Sequence, residues 1–261
     1  MNPSAQAPSM PPVGLMSAMH EELSLLLEAM PDEQRVCVAG RDFWQGHWQG
    51  RPVVAVLSRI GKVAAATTAT ALIERFGVDR IVFTGVAGGI GPGVRVGDVV
   101  LAETLVQHDM DASPLFPRHE VPLYGRSRFA TDAALSQGLA QAAQQVLAQV
   151  RTHVGEAAVA EFGLQVPCLH TGLIASGDRF VSTTAECRAL QKALPEALAV
   201  EMEGAAVAQV CADYGVPFAA LRTISDRADD DAHADFSRFI KQVASRYSLA
   251  MLSTWLAGRV T

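Results

Sequence analysis

Carboxylates stand at three places in this chain where charge is costly. Glu201-Met202-Glu203 closes the apolar run 194 to 200, and Ser225-Asp226 closes a second run that includes Leu221-Arg222-Thr223-Ile224. Glu21 and Glu22 follow Met16-Ser17-Ala18-Met19-His20 near the start of the chain. An acid in such surroundings must be paired or used. All three groups follow strand-like segments, and in α/β sheets ligands bind at the carboxyl ends of strands. One acid to donate, one base to accept and one group to hold hydroxyls would suit cleavage of a glycosidic bond.

The elements that must position these groups follow from the apolar periodicity. Residues 13 to 19 form a short strand. Leu23, Leu26, Leu27 and Met30 recur at helical spacing, which puts Glu21 and Glu22 in a first helical turn, where the helix dipole favours negative charge. Residues 36 to 58 hold two strand-like runs around Gly46 and Gly50, as hairpins do. Residues 62 to 76 form an Ala-rich helix stopped by Gly77. Residues 80 to 84 are a buried strand that runs into a glycine-rich turn, 85 to 93. A strand over 94 to 106, a Pro-containing loop over 113 to 127 and a helix from Thr131 to residue 150 follow, with Thr131 as the expected cap. Further strands fall in 164 to 175. Thr183 and Glu186 form a capping box. A helix over 205 to 214, a strand over 216 to 224 and a last helix over 236 to 256 complete the pattern. Strands alternating with helices imply a mixed or parallel sheet covered on both faces.

From the residues alone, several roles stay open. Asp226 is as good a helix cap as a catalytic acid. Glu22 fits an exposed first-turn acid. Glu203 resists that reading, because Met202, Gly204, Ala205 and Ala206 surround it. The glycine turn lacks Gly-x-Gly-x-x-Gly and fits close backbone approach to a ligand better than a dinucleotide loop. Phe180 is suited either to the core or to a site. His108-Asp109-x-Asp111 has no further His, Asp or Glu cluster to complete a coordination shell, so no metal is expected.

Taken in order, these segments resemble the purine nucleoside phosphorylase/nucleosidase superfamily, and within it the methylthioadenosine/S-adenosylhomocysteine nucleosidases. The matching pieces are Ser17-Ala18-Met19-His20-Glu21-Glu22, Ile60-Gly61-Lys62-Val63-Ala64-Ala65, Thr84-Gly85-Val86-Ala87-Gly88-Gly89 and Val96-Gly97-Asp98-Val99-Val100. They continue with His108-Asp109-Met110-Asp111, Ser176-Gly177-Asp178-Arg179-Phe180, Glu201-Met202-Glu203 and Ser225-Asp226. Any one of these is weak; the shared order is what makes the match specific.

The resemblance implies a three-layer α/β/α sandwich with a mixed, twisted central sheet. It also implies hydrolysis of the N-glycosidic bond of 5′-methylthioadenosine and S-adenosylhomocysteine, an activity of methionine salvage and adenosylmethionine recycling, with no cofactor. By that resemblance Asp226 protonates the purine N7, which requires a carboxyl that keeps its proton near neutral pH. Ser225 orients it, and Glu22 activates the attacking water. Glu203 holds the ribose hydroxyls, Met202 packs on the sugar, and Arg222 stands near the water. Ala87 and Gly88 face purine and ribose, Phe180 stacks on adenine, and the Val181 backbone reads the edge of the base. Met19, Ile60 and Phe236 line the 5′-alkylthio side. Glu201 has a weaker claim. Relatives often carry serine where this chain has Val86, so one hydrogen bond is missing there. The alternatives are a phosphate-dependent phosphorylase, a hydrolase of another 5′-substituted nucleoside such as 5′-deoxyadenosine or futalosine, and a non-catalytic nucleoside-binding protein.

Composition sets the remaining bounds. The 261 residues, 49% of them hydrophobic and 18% charged, suit one domain over 13 to 261 with a large core behind a disordered tail at 1 to 12. The net charge of −6, without a basic stripe, argues against nucleic acid or an anionic membrane as partner. The tail has no signal-peptide pattern, and no run approaches the ~18 apolar residues of a membrane helix. Cys37, Cys168, Cys187 and Cys211 are expected to be buried free thiols in a cytoplasmic protein. The resemblance, and not composition, implies a homodimer, with the hairpin that carries Trp44 and Trp48 and the Pro-containing loop as candidate interface surfaces.

Overall fold

The computed structural model describes residues 10–164, 166–228 and 236–258. The first nine residues of the expected tail lie outside the described residues. Pro12, at its end, already accepts a hydrogen bond from the Asp79 amide (3.2 Å).

The chain begins with β1 (Val13–Ser17), α1 (His20–Glu28), β2 (Gln34–Val38), β3 (Arg41–Trp48), β4 (Arg51–Leu57) and α2 (Lys62–Phe76). Next come β5 (Arg80–Thr84), β6 (Val86–Gly89), β7 (Val99–Gln107), β8 (Arg128–Ala130), α3 (Ala133–Ala148), α4 (Val150–Val154) and α5 (Glu156–Glu161). It ends with β9 (Leu169–Ser176), α6 (Thr184–Ala193), β10 (Ala197–Glu201), α7 (Gly204–Tyr214), β11 (Phe218–Asp226), α8 (Phe236–Phe239), a π turn (Ile240–Ala244) and α9 (Ser245–Ala257).

Strand order is β2-β3-β4-β1-β5-β11-β6-β10-β9-β7-β8, with a further pairing of β11 to β7. β1 lies parallel between β4 and β5. β11 pairs parallel with β5 and β6 and antiparallel with β7. Because β6, β10, β9 and β7 are paired in turn, the β11–β7 pairing closes them into a ring. The mixed central sheet is as expected; its closure at one end was not signalled by any local pattern.

Consecutive strand residues feed different cores, as period-two side-chain alternation requires. Leu15, Val53 and Val82 pack with α1, α3 and α9 through Leu23, Leu139 and Leu252. Met16, Val54, Ile81 and Phe83 pack with α2 and α7 through Leu72, Ala205 and Val207. Burial on both faces explains why these strands are continuous apolar runs. Gly77, at φ +62°, ends α2, and Gly215, at φ +66°, ends α7.

Several local expectations are corrected. The hairpin turns fall at Ala39-Gly40 and Gln49-Gly50, and Gly46 lies inside β3. A Cβ on Gly46 would stand 2.9 Å from the Asp32 carboxylate, so close packing keeps the glycine there. Trp48 is buried and Trp44 packs against the same core, so these tryptophans serve the interior. Of the four cysteines expected to be buried, only Cys187 and Cys211 are; Cys37 is exposed. Thr131 does not cap α3. Its hydroxyl donates to the Ala102 carbonyl (2.8 Å), and Asp132 is the cap, accepting from the Leu135 amide (2.8 Å). Asp132→Ala should therefore lower stability by about 1 kcal/mol in a urea titration. An unchanged midpoint would show that the cap contributes nothing.

Candidate active site

The carboxyl ends of the strands converge on one pocket. Ala18 and Met19 follow β1, Ile60 follows β4, and Val86, Ala87 and Gly88 belong to β6. Arg179, Phe180 and Val181 follow β9. Val200 and Glu201 end β10 and lead into Met202 and Glu203; Ser225 and Asp226 end β11; Phe236 opens α8. The wall is mainly apolar with a few fixed polar groups, the usual composition of a small-molecule site. Among the expected site residues, only Glu22 and Arg222 do not line the pocket.

Those two lie behind its wall, essentially without exposure. A Cβ on Gly85 would stand 3.7 Å from Glu22 Oε2 and 3.6 Å from Arg222 Nη1, so carboxylate and guanidinium flank one glycine. No hydrogen-bond partner meets either Glu22 oxygen among the described residues. Burial pushes the Glu22 carboxyl from the usual 4.5 up to about 7, against the opposing pull of Arg222. The expected surface acid is thus an interior one.

Arg222 is held in place by four hydrogen bonds to three acceptors, and by a ring. Its Nη2 and Nε donate to Glu201 Oε2 (2.8 and 3.3 Å), and its Nη1 donates to the carbonyls of Phe83 (3.0 Å) and Leu221 (3.1 Å). The guanidinium lies 4.1 Å from the centre of the Phe83 ring. Glu201 also accepts from the Gly204 amide (2.9 Å), the Glu203 amide (3.2 Å) and the Ser176 hydroxyl. Its weak standing in the sequence is corrected here: it anchors the site. The available signal was a pair of opposite charges, Glu201 and Arg222, inside two apolar strands.

Glu203 Oε1 accepts from the Gly61 amide at the start of α2 (2.9 Å). Burial and the neighbouring Glu201 charge raise its carboxyl above the usual range. The turn that carries Gly61 is tied down in turn: the Lys62 amide donates to Asp178 (2.7 Å) and the Lys62 ammonium to Asp109 (2.6 Å). Asp109 of the His108-Asp109 pair therefore serves this brace. Among the described residues no group of three or more His, Cys, Asp or Glu side chains could hold a metal ion.

Asp226 Oδ2 accepts from the Ser225 hydroxyl (2.7 Å), and Oδ1 from the Ala228 amide (2.7 Å). In a regular strand, successive side chains point to opposite faces. Ser225 and Asp226 both reach the pocket because the β11–β6 register shifts between Ile224 and Asp226, as at a bulge. A Cβ on Gly88 would stand 3.0 Å from Asp226 Oδ1 and 2.9 Å from the Ala228 Cβ, so glycine is required for this close approach. At the mouth Phe180, 41% exposed, meets Phe236 edge to face at 6.5 Å, which places it outside the core. Ile60 is also exposed.

Strand ends converging on an apolar pocket, with buried carboxyls in it and behind its wall, fit a nucleoside-processing enzyme of the phosphorylase kind. Residues 12–254 match the model of the phosphorylase superfamily. A 5′-methylthioadenosine/S-adenosylhomocysteine nucleosidase from Marinomonas sp. is 35% identical over 94% of this chain and 98% of its own length. The structure of the Neisseria meningitidis nucleosidase in complex with methylthio-immucillin-A superposes with a TM-score of 0.83 at 33% identity, over 95% of this chain and 99% of that one. A Helicobacter pylori futalosine hydrolase superposes with a TM-score of 0.81 at 32% identity, over 94% and 97%. The chain belongs to the phosphorylase superfamily, in its branch of methylthioadenosine/S-adenosylhomocysteine nucleosidases.

The position of Glu22 has a consequence for stability. Its carboxyl titrates at about 7 when folded and near 4.5 when unfolded, so the linked stability is complete below pH 4.5 and is lost as pH rises to 7. Glu22→Gln removes this term. The variant's stability relative to the parent should therefore rise from pH 4.5 to pH 8 by about 3 kcal/mol, at ~1.4 kcal/mol per pKa unit. Urea unfolding at the two pH values measures it, and a pH-independent difference would place the Glu22 pKa near its ordinary value.

Proposed function

We propose that this chain hydrolyses the N-glycosidic bond of 5′-methylthioadenosine and S-adenosylhomocysteine, releasing adenine and the 5′-thio-ribose. The observation that carries this reading is the grouping of Asp226 and Glu203 in one apolar pocket with Glu22 directly behind its wall. Phe180 and the Val181 backbone hold the adenine, while Met202 and Glu203 hold the ribose. Ala87 and Gly88 let the chain approach closely, and Met19, Ile60 and Phe236 take the 5′ substituent. Asp226, oriented by Ser225, gives its proton to N7. The C1′–N9 bond breaks with its electron pair passing to the purine, and positive charge develops on the ribose. Glu22 accepts a proton from water as the water oxygen bonds to C1′, with Arg222 fixing the charge around that water. Glu203 hydrogen bonds to the hydroxyls strengthen as the sugar becomes cationic.

Electrostatics favours water over phosphate as the nucleophile. The charged side chains that line the pocket are Glu201, Glu203, Asp226 and Arg179, and Arg179 pairs with Glu186. Arg222 is engaged by Glu201. A phosphate dianion would find no unpaired cation among these residues. Val86 lines the pocket without offering a hydroxyl. Adenine release from a panel of 5′-methylthioadenosine, S-adenosylhomocysteine, 5′-deoxyadenosine and futalosine, with and without phosphate, tests the reading. Strict phosphate dependence with a ribose 1-phosphate product would overturn it.

The two catalytic assignments are separable. Asp226→Asn should lose about 10²–10⁴-fold in turnover, because the amide still hydrogen-bonds N7 but has no carboxyl proton to give. Glu22→Gln should also lose turnover. A substrate whose base leaves without protonation should partly rescue Asp226→Asn and not Glu22→Gln. Near-normal turnover of Asp226→Asn on methylthioadenosine would return this residue to a structural role.

We further propose that the enzyme acts as a cytoplasmic homodimer. Exposed Leu115, Leu123 and Tyr124 on the Pro-containing loop, with Ile60, Val63 and Phe180, support a surface that a second copy covers. Cys37, an exposed free thiol, suits a reducing compartment. Among the described residues no helix is long and apolar enough to cross a membrane. Sedimentation should give a dimer; a fully active monomer would rule the partner out of the site.

A further inference from the structure

A second cavity adjoins the first through shared turns. Ile60 lines the nucleoside pocket and Arg59 the neighbouring cavity; Met19 lines the first and His20 the second. Arg41, Arg59, His20 and Ser24 bring polar groups to this second cavity, whose volume is about 350 Å³. A liquid water takes about 30 Å³, so a carboxylate or sulfate fits easily. The acid on its wall, Asp42, is already paired with Arg35 (3.5 Å).

Three features of the two arginines need a common explanation. Arg59 adopts φ +63°, a conformation that a non-glycine residue holds only at a cost. Arg41 Nε is buried and meets no acceptor among the described residues, although Nη1 and Nη2 donate to the carbonyls of Ala39 (3.2 Å) and Ala64 (3.4 Å). The two guanidiniums are close enough for Arg59, after burial, to hold Arg41 below the usual arginine range. Arg59 itself donates to the Gly40 carbonyl. Two like charges lining one cavity, Arg59 held there at a strained backbone position, are arranged for an anion.

We propose that this cavity binds a carboxylate or similar small oxyanion between Arg41 and Arg59. The site is positioned to act on the nucleoside pocket, since the same turn carries Ile60 and Gly61, whose amide holds Glu203. One source of the anion is the amino-acid carboxylate at the far end of the S-adenosylhomocysteine 5′ tail, whose near end meets Met19 and Ile60. This source rests on the proposed function. The other source is a free oxyanion from solution. Under the first, the two arginines select the long, charged substrate over methylthioadenosine.

The test compares the parent enzyme with Arg59→Gly and Arg41→Gln. Arg59→Gly removes the charge and also relieves the positive φ, so it should fold at least as well as the parent. Loss of a charge-assisted hydrogen bond should lower kcat/KM for S-adenosylhomocysteine about tenfold in each variant, with methylthioadenosine within about twofold. That result assigns the site to the substrate tail. If the substrate ratio is unchanged, but sulfate raises the parent's Tm above chloride at equal ionic strength and fails to do so for the variants, the site takes a free oxyanion. Absence of both effects, or equal losses on both substrates without a sulfate effect, overturns the proposal. Failure of the parent to release adenine from either nucleoside would refute the proposed reaction and leave the sulfate comparison to decide the anion site.

Discussion

The buried Glu201–Arg222 pair is the interaction on which the remaining site depends. It joins the end of β10 to the middle of β11, and its further hydrogen bonds reach β5 through Phe83, β9 through Ser176 and the start of α7 through Gly204. Taking two charges out of water is expensive, and the pair is tolerated because nearly every lone pair and proton finds a partner. Loss of one member would strand the other, at a cost of about 3–5 kcal/mol. It would also release Glu203, whose amide donates to Glu201, and the β11 segment that ends in Asp226. The pair is thus less a source of stability than a means of fixing where five elements meet.

A charge imbalance follows from this arrangement. Glu22, Glu201 and Glu203 lie around one guanidinium, and Glu201 is the carboxylate that takes hydrogen bonds from it, two of its four. Burial then raises the other two carboxyls, with Glu201 repelling Glu203 and Arg222 only partly offsetting the shift at Glu22. Such a site suits a ligand that turns cationic. Positive charge on a ribose would restore the balance at the moment it forms, and the dipoles and charges that meet it are already in position. A phosphate dianion would increase the imbalance.

Much of this was legible in the sequence, and the exceptions share a physical cause. The strands of the parallel half are runs of Val, Ile, Leu and Ala because both faces are covered, so β1, β5 and α2 fall close to their expected bounds. Asp226, Glu203 and the glycine turn come together because each sits at a strand end, and strand ends are visible in the apolar pattern. What stayed hidden depended on distant partners. The pairing of β11 with β7 joins residues far apart in the chain. Whether Thr131 or Asp132 caps α3 turns on the Ala102 carbonyl, which claims the threonine. The burial of Glu22 turns on its approach to Gly85 and Arg222, both distant in the chain, which local periodicity does not report. Trp48 was misplaced for the same reason: an aromatic on a hairpin is a surface residue only until a helix packs over it.

β11 shows how one strand reconciles two opposing demands. Its first half must be a regular central strand, since it pairs with β5 on one side and β7 on the other. Regularity there points Arg222 inward, where Glu201 and the Phe83 ring wait. Its last residues must instead present two consecutive polar side chains, Ser225 and Asp226, to one pocket, which a regular strand cannot do. The shift in register after Ile224 meets this need at the one point where the neighbouring strand offers Gly88, small enough to admit the displaced carboxyl. Ala228, at φ +51°, then turns the chain so that its amide reaches Asp226 Oδ1. The irregularity is therefore confined to the residues that face the pocket, and the ion pair upstream keeps it from spreading along the strand.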